Sequence, residues 1–128
     1  FAAKSAYIDG DWKDLYERIQ ANKFNFSGEG KESFFKDENS KKFDIIISAD
    51  TLYNTENYEY LHENILKNIN NPGVCFIASK KFYFGVGGGT SQFIDFVEQK
   101  GNFDIKCVKE INDGMSNIRE ILELRPKN

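Results

Sequence analysis

The chain has 128 residues, a length that fits one compact domain or a large part of one. Hydrophobic residues make up 40% of it, with 12 Phe, which is enough to build a core. A net charge of −3 and a pI near 5.2 argue against a surface that coats nucleic acid, and no direct nucleic-acid binding is expected. No apolar run approaches the roughly 18 residues of a membrane span, and nothing reads as a signal peptide, so a soluble intracellular protein, cytoplasmic or nuclear, is expected. The chain starts at Phe1 and its one Met is Met115, so a piece of something longer is expected.

Residues 5–8 read as a short strand and Asp9-Gly10-Asp11 as a turn. The next segment, 13–21, puts Leu15, Tyr16 and Ile19 on one helical face. Trp12 reads either as a half-buried residue at the helix start or as a flat surface for a ligand ring beside the Asp11 carboxylate. Residues 23–42 mix charges with Gly28 and Gly30 and read as a solvated loop, with a short strand over 23–26. Phe43 to Ser48 contains three consecutive Ile, whose β-branching favours a strand. It empties into Ala49-Asp50-Thr51-Leu52-Tyr53-Asn54. A helix follows from about Thr55, with Tyr58, Leu61, Ile65, Leu66 and Ile69 on one face and Asn54 or Thr55 as N-cap. Pro72-Gly73 is expected to end it. His62 reads as a residue on the flank of that face.

The stretch 74–89 organises the rest. An apolar run from Val74 suits a strand buried on both faces. It leaves through Lys80-Lys81-Phe82-Tyr83-Phe84 into Gly85, Gly87, Gly88 and Gly89. So many glycines suggest backbone brought close to something, and the aromatic residues beside them argue against a floppy linker. A helix over 90–100 stops at Gly101. Phe103, Ile105 and Cys107 then alternate with polar residues, Asn112-Asp113-Gly114 turns, and a last strand carries Ile118, Leu122 and Leu124. Cys75 and Cys107 read as buried reduced thiols, and one His with two separated Cys offers no metal site.

Strands alternating with helices imply an α/β fold with a mostly parallel sheet, here closed by an antiparallel hairpin. Ligands of such sheets bind beyond the carboxyl ends of the strands, where the loops 48–54 and 79–90 fall.

Asp44-Ile45-Ile46-Ile47-Ser48-Ala49-Asp50-Thr51-Leu52-Tyr53-Asn54 resembles the end of the fourth strand in the Rossmann-like seven-β-strand methyltransferases. The segment Tyr83-Phe84-Gly85-Val86-Gly87-Gly88-Gly89 resembles the distinctive motif of their protein-histidine N-methyltransferase branch, and Gly10-Asp11-Trp12 resembles the branch's third-strand end. Gly28-Glu29-Gly30 is a second, weaker candidate for that end. The resemblance covers about residues 7–124, with 23–42 as a poorly matching insertion. It implies S-adenosylmethionine as cofactor and a protein substrate such as a large-subunit ribosomal protein. It further implies that Asp11, Trp12, Ser48 and Asp50 line the cofactor site, that Asp50, Tyr53 and Asn54 carry the catalysis, and that Tyr83, Phe84, Gly85, Gly87 and Gly88 shape the substrate entrance. Asp50 stands one methylene short of the family's usual Glu. The family's glycine-rich cofactor loop does not precede Phe1, so residues 1–128 are expected to form a partial domain, from third strand to seventh, that binds cofactor poorly by itself. Two rivals stay open: a protein-lysine methyltransferase of the same fold, and a non-catalytic half-domain serving as a binding surface.

Overall fold

A computed structural model of the chain describes residues 6–21, 25–26, 41–85, 87–115 and 118–128. The elements in order are strand β1 (Ala6–Tyr7), a 3-10 turn (Trp12–Asp14), helix α1 (Leu15–Gln20), β2 (Asn25–Phe26), β3 (Phe43–Ala49), a second 3-10 turn (Thr55–Asn57), α2 (Tyr58–Asn68), β4 (Ile69–Lys80), α3 (Thr90–Lys100), β5 (Phe103–Asn112) and β6 (Ile118–Pro126). The four longer strands form one sheet in the order β3-β4-β6-β5. β3 and β4 are parallel, while β6 runs antiparallel to both of its neighbours. Three strands therefore point one way, and the fold is mixed α/β. β1 stands outside this sheet and pairs antiparallel with β2. The weaker match at Gly28-Glu29-Gly30 and nearly all of the expected loop 23–42 lie outside the described residues.

Local signals explain the α2 crossover. Asn54 caps its approach by accepting the Glu56 N–H at 3.0 Å. Tyr58, Leu61 and Ile65 then bury one face. The helix does not run on to Pro72-Gly73, as the sequence suggested; it ends at Asn68, where Ile69 turns extended. The β-branched Ile69 opens β4, and Pro72 falls at a break in the pairing between Phe43 and Ile45, where its missing N–H costs no ladder bond.

The core lies on one face of the sheet. Cys75 and Leu124 are direct cross-strand partners, as are Ile77 and Leu122, and all four are fully buried. Tyr58, Leu61 and Ile65 of α2 and Phe93 and Val97 of α3 cover them. Each such side chain contributes roughly 1.5–3 kcal/mol by leaving water. Burial also pushes the Cys75 thiol up to about 12, so it is inert at neutral pH.

Three expectations are corrected here. The strand from Val74 is not buried on both faces: Cys75, Ile77 and Ser79 are buried on one face, while Val74 and Phe76 are half-buried and Ala78 exposed on the other, where its neighbours Ile45 and Ile47 on β3 are 59% and 77% exposed. Cys107 is exposed rather than buried. It shares the core face with its partner Leu122, but it sits on the outermost strand beside a break in the β5–β6 register. His62 is not a flank residue. It is 1% exposed, wedged edge-on against Phe96 and Phe103 with ring centroids 5.9 and 5.5 Å away. Among the described residues neither ring nitrogen has a hydrogen-bond partner, the Glu63 carboxylate lying 3.7 Å from Nδ1, and burial holds its pKa below the ordinary imidazole value.

Candidate functional site

The carboxyl ends of β3 and β4 lie side by side because the strands are parallel and in register up to Ala49 and Ala78. Asp50 extends that pairing by donating its N–H to Ala78 O at 2.9 Å. Its φ is +54°, which makes it the one non-glycine residue with positive φ among the described residues. A short polar side chain tolerates this region better than most. Its Oδ1 accepts the Tyr83 hydroxyl at 2.9 Å and an Arg119 guanidinium N–H at 3.3 Å. The Tyr83 oxygen also lies 2.9 Å from the buried Ser79 Oγ and accepts the Lys80 backbone N–H at 3.3 Å.

The glycine loop is folded onto the β3–α2 loop. Tyr83 N–H donates to Gly88 O and Gly87 N–H to Tyr83 O, closing a tight turn. A Cβ on Gly88 would fall 2.2 Å from Leu52 O, and one on Gly89 would fall 2.1 Å from Lys81 O. Only glycine permits these approaches. Tyr58 fastens the contact from below: its buried hydroxyl accepts Gly89 N–H at 3.0 Å and lies 3.0 Å from Leu52 O and 3.1 Å from Gly89 O. Burial raises the Tyr58 pKa, so the hydroxyl stays protonated and able to donate. Beneath the loop, the Thr90 hydroxyl donates to the nearly buried Glu120 carboxylate, whose strand partner is Ser79.

A cavity of about 440 Å³ opens beside Tyr53. Asp11, Trp12, Tyr53, Asn57 and Tyr60 are among the residues that line it. The Tyr53 ring also meets the Tyr83 ring edge-on at 6.3 Å. A second, mostly apolar cavity of about 260 Å³ shares Trp12 and includes Ile46, Ser48 and Leu61.

The structure thus brings Asp11, Trp12 and Tyr53 around one space, and Asp50 and Tyr83 into one hydrogen-bonded pair beside it. Ser48 bonds Thr51 across 2.8 Å and faces the second cavity. The Asn54 side-chain oxygen is committed to its cap, and an Asp11 carboxylate oxygen likewise accepts the Lys13 N–H at 3.1 Å. Phe84 is 88% exposed, and a Cβ on Gly85 or Gly87 would meet open space, whereas Gly88 is buried. Among the described residues no three His, Cys, Asp or Glu are grouped to hold a metal, and no helix is long and apolar enough to cross a membrane.

Sequence reasoning missed Arg119, Asn57, Tyr60 and the buried Thr90–Glu120 pair. Ser79 had a readable signal: it falls in phase with Cys75 and Ile77 on the core face of a strand, where a hydroxyl needs a partner. Arg119 had none, because its partner lies 69 residues away.

No protein-family model matches the chain. Among curated proteins it is similar to the histidine protein methyltransferase 1 homolog of Dictyostelium discoideum, at 36% identity over 97% of this chain and 34% of that protein. The homolog of Mus musculus is 39% identical over 70% of this chain and 26% of its own length. That of Rattus norvegicus is 42% identical over 58% and 20%. The chain therefore spans about a third or less of the length of these relatives. The match to the Dictyostelium protein runs through nearly every described element, the paired strand ends and the glycine loop included, and on that ground the chain belongs to the family of histidine protein methyltransferase 1 homologs.

Proposed function

We propose that the protein carrying this chain is an S-adenosylmethionine-dependent methyltransferase that N-methylates a histidine imidazole of a protein, a large-subunit ribosomal protein being the substrate class and the cytoplasm or nucleus its setting. The observation that carries this reading is the position of Tyr53. It lines the cavity with Asp11 and Trp12, and its ring meets edge-on that of Tyr83, the partner of Asp50. A pocket for a flat base and a carboxylate at a strand end therefore adjoin across a single ring.

The residues present fit the cofactor. The rings of Trp12, Tyr53 and Tyr60 offer apolar walls for an adenine, and the Asp11 carboxylate offers an acceptor at the edge. The volume lies within the range of small-molecule sites. S-adenosylmethionine supplies, when bound, a methyl already activated on sulfur.

The protein's own work is then modest. A neutral imidazole nitrogen is nucleophilic near neutral pH, given an ordinary pKa of about 6.5. Alignment of that nitrogen supplies several kcal/mol, and a carboxylate on the other ring N–H fixes the tautomer and stabilises the imidazolium that forms. Asp50 is the carboxylate in that role. Tyr53 assists from the ring between the two sites, and Asn54 assists through its amide, whose oxygen already caps the helix. Exposed Phe82 and Phe84 on the glycine loop present an apolar edge that suits a peptide.

The test is methyl transfer from labelled cofactor by the full-length protein onto ribosomal proteins, followed by hydrolysis and identification of the methylated amino acid. Methylhistidine is expected, and it should fall by a factor of about 100 or more in Asp50→Asn. Methyllysine instead would move the protein to a lysine-modifying reading. Absence of both transfer and cofactor binding would leave a binding surface without catalysis.

A further inference from the structure

Asp50 is gripped in an asymmetric way. The Tyr83 hydroxyl, from the glycine loop, and the Arg119 guanidinium, from β6, both bond Oδ1, at 2.9 and 3.3 Å. Neither bonds Oδ2. The Tyr83 oxygen is itself fixed by Ser79 Oγ and Lys80 N–H, so it cannot swing away without breaking two further contacts. The backbone of Asp50 is held by Ala78 at a φ of +54°. Two segments distant from Asp50 in sequence therefore converge on one of its carboxylate oxygens. The Asp50–Arg119 pair is about half exposed on both sides, so its contribution to stability is small. What the convergence accomplishes is orientation.

We propose that Tyr83 and Arg119 are positioning residues that clamp Oδ1 of Asp50 and so present Oδ2 to the N–H of the substrate imidazole. The proposal rests on the reading of Asp50 as the imidazole's acceptor. It gives Tyr83 a duty beyond shaping the entrance, and it gives β6, remote from every motif in the sequence, a place in the site. A carboxylate free to rotate about its last bond spends only part of its time with an oxygen in line. A clamp on one oxygen removes that freedom before the substrate arrives.

The test is a set of double-mutant cycles in the full-length protein, using as acceptor the ribosomal protein on which the wild type forms methylhistidine. Tyr83→Phe and Arg119→Gln are each expected to lower kcat about tenfold, the size of one hydrogen bond to a charged group, with the KM for S-adenosylmethionine unchanged. Asp50→Asn is expected to lower kcat further. In the Asp50→Asn background neither second substitution should cost anything more, because no carboxylate remains to be aimed. A purely structural role predicts the opposite, with each loss reappearing in full beside Asp50→Asn. That result, or unchanged kcat in both single variants, overturns the proposal while leaving Asp50 in place. Full turnover in Asp50→Asn, or no methylhistidine from the wild type, removes the reading of Asp50 and this proposal together.

Discussion

The two faces of the sheet are built from the same residue types and meet opposite fates. On the side of α2 and α3, Cys75, Ile77, Leu122 and Leu124 are wholly out of water. On the other side, Ile45 and Ile47 stand exposed, next to their half-buried partners Val74 and Phe76. Among the described residues β3 is also an edge strand. The difference teaches that β-branching and apolarity shape a strand but do not say which of its faces finds a partner.

Four substitutions or conditions would break or sharpen that contrast. The largest effect is expected at Phe93, which is fully buried and edge-on to Tyr58 at 5.1 Å. Phe93→Ala should lower the unfolding free energy by about 3–5 kcal/mol in denaturant titrations. Tyr58→Phe keeps the ring but leaves the Gly89 N–H and the Leu52 carbonyl without their shared hydroxyl. A loss of about 1–3 kcal/mol is expected, read by the same titration. Little change there would mean that the two loops hold each other without Tyr58.

The third is a pH effect. Burial is the chief cause that lowers the His62 pKa, opposed by Glu63 and Glu59 and aided by Lys100. The unfolded chain then takes up the proton first. Stability contributed by the neutral ring is fully present above 6.5 and is lost as the pH falls from there through the folded value. Melting temperature measured against pH should decline over that window, and His62→Leu should flatten the decline. The smallest effect is expected at Ile47→Thr, under about 0.5 kcal/mol if the face stays open. A cost of about 1–3 kcal/mol in the full-length protein would show that another part of it lies on Ile47.

Much of the site was legible because it is local. The run of Ile ending in Asp50, the cap at Asn54 and the stop at Gly101 each depend on residues a few positions apart. The glycines at 88 and 89 announced a close approach, although not what they approach. What was illegible is long-range. His62 sits four residues from both Tyr58 and Leu66, so helical periodicity placed it beside the apolar stripe. Its burial comes from Phe96 and Phe103 on other elements. Cys107 alternates correctly for a core strand, yet an edge position undid the inference. The meeting of Arg119 with Asp50 rests on the long-range β4–β6 pairing, which sets Arg119 opposite Lys80. No residue pattern distinguishes a covered Ile from an open one.

The contact of Gly88 with the backbone of Leu52 and Tyr53 has one more consequence. Tyr53, whose backbone Gly88 meets, also lines the cavity with Asp11 and Trp12, so the glycine loop and that cavity share a residue. Any side chain at position 88 would drive the two loops apart, so the spacing of the site is set by a side chain that is missing.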